Sequence, residues 1–122
     1  MLRDIAVGDR PLAREELIKE VRAFLRRASV EEAILYGSYA RGDARAWSDV
    51  DLIVISPGFE EEPFLDRLPV LYDAWDILRP YPELLAYTPE EFEEARHRLG
   101  IERIAHREGI RISAADDADG AT

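Results

Sequence analysis

The sequence predicts an α/β domain: a small mixed sheet of three or four strands with helices packed against it. Three observations lead there. Short aliphatic or β-branched runs at residues 33–36, 50–55 and 84–87 are bounded by glycine, proline or small polar residues, as strands are. The stretches around them place apolar residues at three- and four-residue steps, as helices do. The two kinds of segment alternate along the chain, the order that lays helices on a sheet.

Each element has its own reason. Leu17, Val21, Phe24 and Leu25 form one apolar stripe among charges, so residues 12–28 read as an amphipathic helix with Pro11 suited to its first turn. Ala33-Ile34-Leu35-Tyr36 is a buried strand closed by Gly37-Ser38. Ser38 to Gly42 has room for one helical turn, and residues 43–48 form a loop. Val50 to Ile55 is a central strand, apolar except for Asp51, and Ser56-Pro57-Gly58 stops it. Residues 60–78 read as a helix with Phe64, Leu65, Leu68, Leu71, Tyr72 and Trp75 as its stripe, the acids Glu60 to Glu62 in its first turn, and either a kink or a division into two pieces at Pro69. After Pro80 and Pro82 comes a third strand at 84–87. Thr88-Pro89-Glu90-Glu91 starts a helix by an N-cap, a proline at its first position and a capping box, and that helix runs to about residue 98. A short helix over 101–108 and an edge strand over 110–112 complete the domain.

The length, 122 residues, suits one domain, set here at residues 1–113 and followed by a small, acidic, frayed tail at 114–122. The chain has no cysteine, which excludes a disulfide scaffold, a zinc ribbon and a cysteine nucleophile. No apolar run approaches the roughly 20 residues of a membrane helix, and the start lacks the apolar stretch of a signal peptide, so a cytoplasmic protein is expected. With 26 acidic against 16 basic residues the formal charge is −10. That argues against general nucleic-acid binding, which needs a basic face, and equally suits a basic protein partner, divalent cations or plain solubility.

The informative stretch is Gly37-Ser38-Tyr39-Ala40-Arg41-Gly42 through Ser48-Asp49-Val50-Asp51-Leu52. Asp49 and Asp51 are two apart at the start of a strand, so their carboxylates project from one face with Cα atoms roughly 6.5–7 Å apart. Such a pair can hold one or two magnesium ions, or it can cap a turn and pair with arginine. Asp51 sits inside an apolar run, where a charge is costly unless it is paired or metal-bound. The turn at Gly37-Ser38 offers free backbone N–H groups and a hydroxyl to a phosphate, and Arg41 can neutralise phosphate charge. Gly42 ends the turn.

Together these residues resemble the minimal nucleotidyltransferases of the DNA polymerase β-like superfamily, whose pattern is Gly-Ser, then Arg-Gly, then Ser-Asp-x-Asp. The resemblance implies the polymerase β-like nucleotidyltransferase fold, and transfer of a nucleoside monophosphate from a triphosphate, ATP here, to a hydroxyl with magnesium in a two-metal site. It implies metal and catalytic roles for Asp49 and Asp51, and nucleotide binding by Gly37, Ser38 and Arg41. A third carboxylate, usually Asp, stands on the strand after the long helix. Glu83 is the candidate for that base or metal ligand, with Asp76 and Asp73 behind it on the helix, where such residues are more often solvated. Short members often pair with a helical HEPN-type toxin as its antitoxin and adenylylate it, so such a partner is expected. Two other readings are a non-catalytic binding antitoxin and a small-molecule, antibiotic-type transferase.

The other residues draw plainer readings. Trp47, in the loop, either covers the nucleotide base or packs on the domain, and Arg45 is a candidate phosphate contact. Tyr39 packs beside the site and Trp75 belongs to the core. His97 and His106 lie on helices without a ligand triad and are surface or interface residues.

Overall fold

Strands β2 (Glu32–Tyr36) and β3 (Val50–Ile55) lie antiparallel at the centre of a four-stranded sheet. This is a computed structural model, describing residues 2–5 and 8–115. β5 (Pro82–Tyr87) runs parallel to β3, and β6 (Ile110–Ser113) runs antiparallel to β2, giving the order β5-β3-β2-β6. The mixed sheet and its flanking helices are those the sequence predicts.

Every residue of β3 except Asp51 is buried, as a strand covered on both faces requires. One face carries the larger core. There Leu35, Leu52, Val54 and Ala86 meet α1 (Arg14–Ala28) and α3 (Arg67–Ala74). The four stripe residues of α1, Leu17, Val21, Phe24 and Leu25, are fully buried, each contributing about 1.5–3 kcal/mol. Glu15 and Glu16 sit at the positive end of α1, and Arg26 and Arg27 at its negative end. Pro11 precedes the helix, whose N-cap is Ala13, rather than occupying its first turn.

The second face has a smaller core. Ile34, Ile53 and Ile55 pack against Phe92 of α4 (Pro89–Ala95) and Ala105 of α5 (Ile101–Glu108), with Tyr36, Leu85 and Tyr87 at its border. The apolar side chains give way to polar ones along the row Tyr36, Asp51, Glu83. That row is where the candidate site lies.

The segment predicted as a helix over 60–78, kinked or divided at Pro69, is neither. Residues 57–59 and 64–66 form separate 3₁₀ turns, α3 begins only at Arg67, and Ile77–Arg79 is a short strand, β4. Glu60 to Glu62 therefore lie outside any helix. Pro69 falls in the first turn of α3, where its missing N–H has no intrahelical partner, so no kink is needed. Leu65 is exposed, and Trp75 caps the end of α3 and turns into the core against Phe24, with ring centroids 5.2 Å apart. β4 pairs with β1 (Arg3–Asp4), a two-residue strand too short to leave a periodic signal.

The capping box is formed as read. The Thr88 hydroxyl accepts the Glu91 N–H at 3.1 Å, and Glu91 accepts the Thr88 N–H at 2.8 Å. The helix ends at Ala95, short of residue 98. Glu91 also receives two bonds, at 2.6 and 3.1 Å, from the buried Arg67 guanidinium. Arg67 donates to the Ala86 carbonyl as well, and Leu84 N–H donates to the Tyr72 hydroxyl, both at 3.1 Å. Side chains of α3 thus occupy backbone groups on the outer edge of β5 that would otherwise invite another strand. At the other end Ala114 N–H bonds Glu31 O at 2.8 Å, and residues 116–122 of the expected tail lie outside the described residues. Among the described residues no helix is long and apolar enough to cross a membrane.

Candidate active site

The site is built where β2 ends and β3 and β5 begin. Tyr36 of β2 stands opposite Asp51 of β3, and Asp51 stands opposite Glu83 of β5. Side chains alternate, and Asp51 and Glu83 fall in the same series as Ile53, Ile55, Leu85 and Tyr87 of the second face. Tyr36, Asp51 and Glu83 therefore stand side by side on one face, with neighbouring strands about 4.8 Å apart. A slip of one residue would have turned Glu83 away. Asp49 lies just before β3, exposed, at the entrance to the same row.

Gly37 makes the row fit. Its φ of 76° and ψ of −153° lie in a region open essentially to glycine alone. A Cβ there would lie 2.2 Å from Asp51 Oδ2. The sequence assigns this glycine to a phosphate-binding turn; the structure adds a second task, seating the Asp51 carboxylate against the backbone.

The chain then enters α2 (Ser38–Arg41), a single turn. Ala40 and Arg41 N–H both donate to Gly37 O, at 3.1 and 3.0 Å. The N–H groups of Ser38 and Tyr39 come before the first bonded donor and have no acceptor within the turn. Ser38 Oγ makes no hydrogen bond among the described residues. Arg41 pairs with Asp43 at 3.2 Å, but both are exposed. An exposed pair of this kind is worth about 0–1 kcal/mol, so a phosphate can displace Asp43 at little cost.

The electrostatics are one-sided. Burial pushes the Asp51 carboxyl above the usual carboxylate range, the charges of Glu83 and Asp49 push it further, and Arg41 partly offsets them. Burial also raises the Tyr36 phenol, followed by Asp51, Glu83 and Glu102. Crowded hard oxygen donors with one nearby cation suit a divalent metal such as magnesium. The donors fit in kind, but they are not drawn together: among the described residues no group of three or more His, Asp or Glu side chains is arranged to hold a metal ion. A cleft of about 330 Å³ between the start of α1 and α2 is lined by Arg14, Glu15, Tyr39 and Arg41 but not by Asp49, Asp51 or Glu83; Asp49 and Glu83 are exposed and Asp51 is half-buried.

Other predicted residues fall elsewhere. Asp76 follows α3 and is tied to Arg3 at 2.8 Å and Arg27 at 3.1 Å, which hold its carboxyl below the usual range. It is a structural anchor and not a solvated helix residue. Asp73 is on α3 and exposed. Tyr39 is buried in the main core. Trp47 is not packed on the domain but 73% exposed, and Arg45 is exposed in the same loop. His97 approaches Glu93 at 3.3 Å and His106 approaches Arg96 at 3.0 Å, both at the surface. Sequence reasoning missed Tyr36 as a neighbour of Asp51. Its place directly before Gly37, in step with Ile34 along the strand, was the available signal. It also missed Glu102, which accepts a hydrogen bond from Tyr87 at the border of the second core.

Comparison with known proteins bears on the fold and the family. The crystal structure of a candidate nucleotidyltransferase from Sulfolobus solfataricus is similar in fold, with a TM-score of 0.53 and 21% identity over 67% of this chain and 76% of that one. No curated protein matches the sequence. The profile of the nucleotidyltransferase domain family matches residues 15–112, which takes in the Gly37-Ser38 turn, the Asp49–Asp51 pair and Glu83. The chain belongs to the nucleotidyltransferase domain family.

Proposed function

We propose that the protein transfers AMP from ATP to a hydroxyl of a helical, HEPN-type partner protein, acting as the antitoxin of a pair. The observation that carries the transfer chemistry is the register that sets Asp51 beside Glu83, one strand away from the Gly37-Ser38 turn. Ser38, through its hydroxyl and the leading N–H groups of the turn, binds the triphosphate tail, and Arg41 leaves Asp43 to neutralise it. Asp49 and Asp51 would hold magnesium, with Glu83 as the third carboxylate; the metal supplies charge neutralisation at the phosphate oxygens. Glu83, exposed at the end of the row, takes the proton of the acceptor hydroxyl. The exposure of Asp49 and Glu83 supports a protein acceptor, and the net charge of −10 supports a basic one.

A second reading, a non-catalytic antitoxin that binds nucleotide or partner, is favoured by one observation: no three-group metal arrangement stands ready among the described residues. The experiment is mass spectrometry of a co-purified partner incubated with magnesium and ATP. The expected result is added AMP with wild type and none with Glu83→Gln, whose magnesium–ATP binding persists. Tight partner binding without modification by the wild type would overturn transfer and leave the steric reading.

A further inference from the structure

Two tryptophans divide sharply in this protein. Trp75 is 2% exposed and sits in the core, whereas Trp47 is 73% exposed. Tryptophan is highly buried on average, and its ring offers a large flat face to a stacking partner. Trp47 is also held on a fixed turn. Ser48 N–H donates to Arg45 O at 3.0 Å, and Arg45 N–H donates to Ser48 Oγ at 2.8 Å, closing residues 45–48. Ala46, 6% exposed, pins that turn to the body. Two residues on is Asp49, and two further is Asp51. Other exposed aromatics near the site are already engaged: Tyr81 stacks on Tyr72 with centroids 6.2 Å apart and planes at 24°. Trp47 makes no ring contact among the described residues.

We propose that Trp47 is the stacking platform for the base of the nucleoside triphosphate, an inference that rests on the nucleotidyl-transfer reading of the same site. With the backbone of the turn fixed before the ligand arrives, only the two torsions of the Trp47 side chain are left to be ordered on binding. Stacking accepts any base because each has a π-face, and it favours the larger purine ring system. Trp47 thus selects for a base without reading its edge, and the Gly37-Ser38 turn and Arg41 hold the phosphates.

Fluorescence and calorimetry test this, with magnesium–ATP, magnesium–UTP and magnesium tripolyphosphate as probes. Trp75, buried against Phe24, provides an internal reference. Magnesium–ATP should quench the water-exposed emission, magnesium–UTP should quench it less, and tripolyphosphate, which has no base, should not. Trp47→Ala should bind magnesium–ATP about five- to 150-fold more weakly, while tripolyphosphate affinity is unchanged. Trp47→Phe should recover most of the loss. If Trp47→Ala binds ATP as wild type does while tripolyphosphate still competes, the platform is refuted and the transfer reading stands. Equal quenching by ATP and tripolyphosphate would also refute it. If wild type binds neither, the transfer reading fails and this inference fails with it.

Discussion

Replacing Gly37 by alanine tests how the site is assembled. Two separate penalties follow. The backbone at φ 76° and ψ −153° is one that residues other than glycine adopt only at about 1–3 kcal/mol. The new methyl would also lie 2.2 Å from Asp51 Oδ2 and 3.1 Å from Asp51 Cγ, so the carboxylate must move. A retreat of roughly 1.2 Å restores ordinary contact, and a misplacement of about 1 Å already lowers rates by about a hundredfold. The two penalties separate in a double-mutant cycle read by urea denaturation. Asp51→Ala removes the atoms that clash and leaves Asp51 Cβ, which a Cβ at Gly37 would meet at an ordinary 3.4 Å. Gly37→Ala should therefore destabilise the Asp51→Ala protein by the backbone penalty alone, and the wild type by more, with a coupling of about 0.5–3 kcal/mol. Equal losses in both backgrounds would refute the contact between Gly37 and Asp51.

Two further outcomes follow from the charges. Asp51 is raised above its usual value in the folded protein, so its ionised form is the one folding disfavours; Asp51→Asn should be more stable than wild type at neutral pH, and the gain should vanish as the pH falls below the ordinary value of 3.8, where both folded and unfolded wild type are protonated. Thermal denaturation across pH checks this, and a less stable Asn variant contradicts it. Arg67→Met leaves the buried Ala86 carbonyl without its donor and should lose about 1–3 kcal/mol for that acceptor alone. Arg67 lowers the Glu91 carboxyl, so the stability this pair contributes is present above the ordinary value of 4.5 and lost as the pH falls through the lowered one; the variant should show a shallower acid decline, and an unchanged acid limb would contradict the pairing.

Much of the candidate site was legible because its signals are local. Gly37-Ser38, Asp49 and Asp51 lie within one stretch, and strand alternation alone puts Asp51 on a defined face. The Thr88–Glu91 capping box and the buried stripe of α1 were legible for the same reason: each is a pattern within two turns of chain. Glu83 needed a register, which no single strand specifies; β5 had to be laid against β3 before Glu83 could be set beside Asp51. The segment 60–78 misled because its apolar residues are spaced like a helix while serving three different elements. Arg67 was invisible as a core residue because an arginine is buried only when distant groups, here Ala86 O, Glu62 O and Glu91, come together to receive it. Asp76 looked like a solvated helix residue until Arg3, from the far end of the sequence, met it.

The most direct measurement is which phosphate of ATP moves. Wild-type protein with its co-purified partner is incubated with magnesium and ATP labelled at either the α- or the γ-phosphate, alongside Asp49→Asn and Asp51→Asn. The expected result is α-label on the partner, γ-label released in pyrophosphate, loss of both with chelator, and transfer lowered by orders of magnitude in each variant while both remain folded. Transfer of the γ-label, or an Asp51→Asn protein that transfers the α-label at the wild-type rate, would contradict a nucleotidyl-transfer centre at these carboxylates.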